Sequence, residues 1–275
     1  MLGKSMMALL ALLMALPVPA IGSGLRMAQS AQQETQQQKK PQGGESEDPV
    51  LLQRLGILYI QENQPKQAIR TLLRATDYLP ENGETHMWLG FAYFLNRQFD
   101  EAEESYLRAI AHNPDLTEVH NYLGLLRVEQ GEPEQAINEF ELALEDPTFP
   151  PVSRLRVLLN LGKLYFEQGD PESAMKPLQE AVELATNPTE PAYSLVYLLV
   201  GKTLRQTGRL EEAVAALSKV LEVEESNVDA HLVIGLAYRD MGNIDKARNH
   251  LQQVLRLAPG SAMSERAQAA LAQLH

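Results

Sequence analysis

The sequence has no cysteine. That absence removes disulfides, thiolate metal sites, cysteine nucleophiles and lipid-modified cysteine in one step. Clustered positive charge is also missing. Lys and Arg number 24 against 36 Asp and Glu, the net charge is −12, and the only dense basic spot is Lys39-Lys40. A nucleic-acid surface needs a concentrated basic footprint, so that class is set aside. No glycine-rich phosphate loop appears; "GSG" at 22–24 lies beside a leader-like segment. No apolar run of membrane-spanning length stands out either. Met6–Leu16 is 11 residues long, and a helical span takes roughly 20.

What is present is globular material, 44% apolar and 22% charged in 275 residues, enough to bury a core. Lys4, the apolar run Met6–Leu16, Pro17 and then "VPA" (18–20) or "GSG" (22–24) read as a secretory signal peptide over 1–24. The alternative is an uncleaved membrane tether. On the signal-peptide reading the mature protein lies outside the cytoplasm, periplasmic or secreted. Residues 25–48 hold seven glutamines, two glycines, one proline and no aromatic. Such a segment cannot build a core and reads as a disordered linker, either a simple spacer or a tether giving reach from a membrane or partner.

From residue 49 one phrase recurs: a glycine, in four of six cases an aromatic three residues later, and an alanine twelve residues later. The glycines are Gly56, Gly90, Gly124, Gly162, Gly201 and Gly235, at intervals of 34, 34, 38, 39 and 34. The alanines are Ala68, Ala102, Ala136, Ala174, Ala213 and Ala247; the aromatics are Tyr59, Tyr93, Tyr165 and Tyr238. Each unit holds two apolar stretches of helical length. Between them Gly131, Gly169, Gly208 and Gly242 stand where a first helix ends in a left-handed conformation, with Asn63 and Arg97 at the same place in the first two units. Pro65, Pro133 and Pro171 follow where a second helix begins. The small residues at the two markers imply close helix approach.

This period and spacing resemble the tetratricopeptide repeat (TPR) family over residues 49–261. The resemblance implies an all-α fold: a right-handed superhelical solenoid of six helix-turn-helix units (49–82, 83–116, 117–150, 155–188, 194–227 and 228–261) plus a C-terminal capping helix over 262–275. A single pair cannot bury its apolar face, whereas a stack of pairs can. The last pair still needs a cover. "SAMSERAQAALAQLH" supplies an amphipathic helix with Ser261 or Ser264 as N-cap and Leu271 and Leu274 as contacts.

No catalytic constellation emerges. His86, His120 and His231 all take the fourth position of their units, a helix-packing position, and a repeat apart they cannot share a tetrahedral metal. The abundant glutamates fall on polar helix faces. The expectation is a non-enzyme without cofactor, metal or small-molecule substrate.

In the TPR family the first helices line a concave groove that takes a protein partner. The matching positions here are Ile57, Phe91, Leu125, Lys163 and Lys202 in one row and Ile60, Phe94, Val128, Phe166, Arg205 and Arg239 in another. Units one to three offer apolar groups only; units four to six mix in cations. The reading is an apolar or amphipathic partner segment with an acidic flank. The competing reading is that tight curvature buries these residues against neighbouring helices. The family's chaperone-tail receptors use Lys, Asn and Arg where this chain has Gln53, Ile57, Trp88, Glu118 and Tyr122, so that use is excluded.

Asn121-Tyr122, Gly124, Glu129-Gln130-Gly131, Phe140, Ala143-Leu144 and Asp146-Pro147 followed by an aromatic and a proline resemble the TPR proteins of type IV pilus assembly, the secretin pilotins. That resemblance implies a bacterial cell-envelope scaffold whose partner is an outer-membrane secretin. Those proteins are typically lipoproteins, and this chain lacks the cysteine; membrane contact is therefore left open, and a soluble periplasmic relative or a different start codon would both fit. The alternative is a general periplasmic TPR adaptor in another assembly or export complex. The stretch "DPTFPP" (146–151), with its three prolines, reads as an extended joint within one solenoid, and "ATNPTEPAYS" as a second lengthened link.

Overall fold

The computed structural model describes residues 48–274. The expected signal peptide and residues 25–47 of the expected linker lie outside them. The chain divides into two compact units, one ending at Pro150 and the other starting at Pro151. The sequence reading had no boundary there, only a joint within one solenoid.

The first unit holds α1 (Pro49–Gln61), α2 (Pro65–Tyr78), α3 (Gly83–Leu95), α4 (Phe99–His112), α5 (Glu118–Gln130) and α6 (Pro133–Glu145). The second holds α7 (Pro151–Glu167), α8 (Pro171–Leu184), α9 (Pro191–Gln206), α10 (Leu210–Val223), α11 (Val228–Asp240), α12 (Ile244–Leu257) and α13 (Ala262–Leu271). The described residues contain helices and no strand. Within each unit the helices pack as antiparallel pairs, and each second helix also packs on the first helix of the next pair.

The pairs close on their marker glycines. A Cβ on Gly124 would lie 2.5 Å from Phe140 Cε1, one on Gly90 2.7 Å from Tyr106 Cδ1, and one on Gly235 2.8 Å from Leu251 Cγ. Gly56 meets Leu72, Gly162 meets Leu178 and Gly201 meets Leu217 in the same way. In every pair the partner stands sixteen residues on. The alanines at the second marker are fully buried. Any larger side chain at either point would force the two helices apart.

The turns inside the pairs are left-handed throughout. Gly131, Gly169, Gly208 and Gly242 have φ of 76–79°, and Asn63 and Arg97 have φ of 55° and 61°. Arg97 accepts a conformation that costs a side-chain-bearing residue about 1–2 kcal/mol. Its guanidinium sits 5.1 Å from the Phe99 ring centroid and 3.4 Å from Glu129 Oε2, contacts a glycine could not make.

The two lengthened links share one chemistry. In Asp146-Pro147-Thr148 the Asp146 carboxylate accepts from the Thr148 amide (2.8 Å) and hydroxyl (2.7 Å). In Asn187-Pro188-Thr189 the Asn187 oxygen accepts from the Thr189 amide (3.1 Å) and hydroxyl (2.8 Å). Each Asx turn holds the chain away from helix. Thr117 also donates to Asp146 at 2.8 Å, tying the first link to the start of its own repeat. Each link then meets a proline that opens a long first helix, α7 with 17 residues and α9 with 16, against 13 in the other first helices. Pro151 therefore does not extend the link, as the sequence reading had it. Its fixed φ and missing N–H suit the first turn of a helix, so most of the added residues lengthen helices. Pro177 is a further departure: it lies buried inside α8 and removes one backbone donor there.

The last pair is covered by α13. Ser261 accepts from the Ser264 amide at 3.1 Å, and Ala267, Ala270 and Leu274 join Leu232, Leu251 and Val254 in one buried cluster, with Leu271 packed against it.

Gly124→Ala and Gly131→Ala test the two uses of glycine. The first forces a methyl into the Phe140 ring and lowers stability by about 1–3 kcal/mol. The second meets open space and bears only backbone strain, about 1–2 kcal/mol. In urea unfolding, Phe140→Leu should relieve the first substitution and leave the cost of the second unchanged.

Candidate interaction surface

Within each unit the first helices approach one another directly, and the candidate groove residues lie along that side. In the first unit aromatic rings fill the approach. Phe91 stacks on Tyr122 with centroids 4.8 Å apart, and Trp88 lies 6.3 Å from Phe91 and 6.4 Å from Tyr122. Tyr106, the Gly90 partner, also stacks on Tyr122, at 5.9 Å. The result is that Ile60, Phe91, Phe94 and Leu125 are each no more than 8% exposed. The expected apolar groove floor is at these four positions the packing between helices, because the first helices come close enough for their large side chains to bury one another. Ile57 and Val128 remain half-buried.

In the second unit ion pairs take the place of rings. Lys202 on α9 reaches Asp229 on α11 at 2.7 Å, and Arg205 on α9 reaches Asp240 on α11 at 2.7 Å. Arg239 shares Asp240 at 2.8 Å and donates to Gln273 Oε1 at 3.0 Å, beyond the end of α13. Lys163 pairs with Glu167 at 3.5 Å on α7, and Phe166 is half-buried. The cations expected to attract an acidic flank are thus each matched by a carboxylate of this chain. Burial pushes the Asp240 carboxyl up, but hydrogen bonds from Arg239 and Arg205, helped by their charge, outweigh it and hold it below the ordinary Asp value. The partners of Lys202 and Arg205 stand on the following first helix, which spacing along one helix does not reveal, whereas Glu167 and Asp240 stand on the same helix as Lys163 and Arg239.

Two of the three fourth-position histidines hold the loops between pairs. His86 Nε2 lies 2.8 Å from the Pro80 carbonyl and His231 Nε2 2.9 Å from the Glu225 carbonyl, each six residues back in the preceding link. His120 Nδ1 meets Glu139 Oε2 at 2.8 Å. His231 Nδ1 also faces His250 Nδ1 at 3.0 Å, so one ring donates and the other accepts. Desolvation and then the His231 charge push the His250 pKa down to about 4. Among the described residues no group of three His, Asp or Glu side chains could hold a metal ion, and no helix is long and apolar enough to cross a membrane.

Two family models described as tetratricopeptide repeat match the chain, one over residues 59–126 and 204–274 and the other over 122–191. The chain belongs to the TPR family. No curated protein matches it in sequence. Among solved structures it is similar to PilF of Pseudomonas aeruginosa, at 23% identity and a TM-score of 0.68, covering 80% of this chain and 96% of that one. It is similar to PilW, a type IV pilus biogenesis factor, at 23% identity and a TM-score of 0.67, covering 82% and 100%. A chain of the APC/C hetero-tetramer Cut9-Hcn1 is 21% identical with a TM-score of 0.65; the match covers 82% of this TPR chain but 43% of that one. At such identities the likeness establishes the fold. As a TPR protein with these features, the chain is of the protein-interaction scaffold kind.

The pH dependence of the second unit follows from His250 and Asp240. A depressed histidine pKa means that the unfolded state binds the proton first. Stability is therefore full above about 6.5 and falls as the pH drops from 6.5 toward 4. The Asp240 contribution has the carboxylate sign: present above the ordinary Asp range and lost as the pH falls through its lowered value. In thermal melts across this range His250→Gln should remove part of the upper fall, and Asp240→Asn part of the lower one.

Proposed function

We propose that the protein is a non-catalytic scaffold of the bacterial cell envelope that binds a protein partner during type IV pilus assembly, the partner being an outer-membrane secretin. The observation that carries this reading is the full-length likeness to PilF and PilW, 96% and 100% of those chains, together with the Asp-Pro-aromatic-proline link after the third repeat. Export is supported by Lys4 followed by the apolar run Met6–Leu16. A partner segment would meet Ile57 and Val128 in the first unit. In the second unit, taken by itself, an acidic segment would meet Phe166 and the outer edges of the paired cations, competing with Asp229 and Asp240. The lack of cysteine favours a second reading, a periplasmic TPR adaptor of another envelope complex that carries no lipid anchor.

Deletion of the gene separates the two. Loss of surface pili and of secretin multimers is the expected outcome of the first reading. Cells that keep both would sink it and leave the adaptor. A photo-crosslinking residue at Val128, which is half-buried rather than core, should then capture the partner in intact cells, with secretin peptides in the adduct.

A further inference from the structure

Three histidines at one repeat position face three different groups, so each answers a proton in its own way. The residue nineteen places on is Ser105 for His86, Glu139 for His120 and His250 for His231. Ser105 turns its hydroxyl to the Glu101 carbonyl at 2.7 Å, and His86 can donate to Pro80 in either charge state. His112, exposed at the end of α4, meets His86 ring face to ring face at 5.5 Å. In the third repeat Glu139 offers a carboxylate to His120 Nδ1, and a charged imidazole donates to it more strongly than a neutral one. Among the described residues, His231 is the histidine whose nitrogen meets the nitrogen of a second basic ring.

The hydrogens of that pair follow by elimination. A backbone carbonyl only accepts, so His231 Nε2 carries a hydrogen and donates to Glu225. In the neutral pair His231 Nδ1 is then a bare lone pair, and the hydrogen of the 3.0 Å bond belongs to His250 Nδ1. His250 Nε2 is left without a hydrogen, on a half-buried ring, and takes the first proton. That proton breaks no bond, because one hydrogen still bridges the two Nδ1 atoms whichever ring holds the charge. A second proton sets N–H against N–H, and the bridge is lost. Desolvation, and then the charge on His231, oppose this step and push His250 down to about 4.

The surroundings offer nothing to neutralise the second charge. Tyr238 of α11 lies 5.8 Å from the His250 ring and bears Lys246 of α12 over its own face at 5.1 Å. In the link, Glu225 reaches His231 through its backbone, while Glu224 and Glu225 are themselves exposed. Lys202 of α9 takes Asp229, and Lys219 of α10 sits over the Tyr197 ring. Asp245 and Arg248 of α12 pair with each other, and Glu265 and Arg266 of α13 are exposed. The histidine that pairs with a carboxylate among the described residues is His120.

We propose that His231 and His250 form a two-proton latch on the last repeat, which holds through the first proton and opens on the second. Opening parts α12 from α11 at this point. The loosened repeat also carries Asp240, the carboxylate that Arg205 and Arg239 share, so acid weakens that end of the candidate interaction surface whichever partner binds there. The third repeat, with Glu139 in the corresponding place, holds.

Nitrogen NMR of the histidine rings and amide hydrogen exchange, both on the purified full chain across a pH series, test this. At neutral pH His250 should carry its hydrogen on Nδ1 and His231 on Nε2. As the pH falls from 6.5 toward about 4, local opening of α12 and α13 should rise by up to about tenfold per pH unit, since the open state binds one proton more. The amides of α5 and α6 should stay protected over the same range. His250→Gln keeps a donor for His231 without a second titrating ring, and His250→Glu copies the pair of the third repeat. Both should keep the helical circular dichroism spectrum and remove the rise. A neutral His250 with its hydrogen on Nε2 overturns the proposal. So does an α12 that opens no faster than α5 in acid, or a rise that survives both substitutions.

Discussion

Everything in this molecule hangs on how close two helices of a pair can come. At six glycines the partner side chain sixteen residues on occupies the volume a Cβ would need, and at six alanines the opposing helix leaves room for one methyl. This steric limit fixes the approach within a pair and so the surface each pair offers to the next. It leaves the partner's identity free within bounds. Leucine serves in four pairs, tyrosine and phenylalanine in two, because a flat ring and a branched aliphatic both press against a bare backbone.

On that common frame the two units bind their first helices together by different means. The first uses stacked rings, Trp88, Phe91, Tyr106 and Tyr122, whose attraction is insensitive to salt and pH. The second uses Lys202–Asp229 and the arrangement around Asp240, which is only partly shielded and so answers to both. Equivalent positions of one repeat thus give an apolar seam in one unit and a titratable seam in the other.

How much of this was legible beforehand follows from the range of each interaction. The pairing, the left-handed turns at Asn63, Arg97 and the four glycines, and the prolines at the start of second helices are local, set within about one repeat, and their residues stand at fixed offsets. The helix start at Pro151 was misread because a proline serves a link and a first helical turn equally well; the Asx turn at Asp146 decides between them. The groove residues were legible as a row but not in their exposure. Whether Phe91 faces a partner or packs depends on the distance to Tyr122 in the next repeat, a tertiary quantity. The carboxylate partners of Lys202 and Arg205 lie 27 and 35 residues away, out of reach of any local pattern.

The histidine pins make neighbouring repeats unequal in how firmly they are joined. In a stacked array each repeat's stability is its own plus a term for each boundary, as in a one-dimensional lattice of coupled spins. His86 and His231 each add a polar bond to the link behind them, at the boundaries between the first and second repeats and between the fifth and sixth. The fourth repeat has Leu158 at that position and the fifth has Tyr197, which turns to Lys219 instead. The boundaries before the second and sixth repeats thus carry a bond of this kind that the boundaries before the fourth and fifth lack, one contribution among those that couple each repeat to its neighbour.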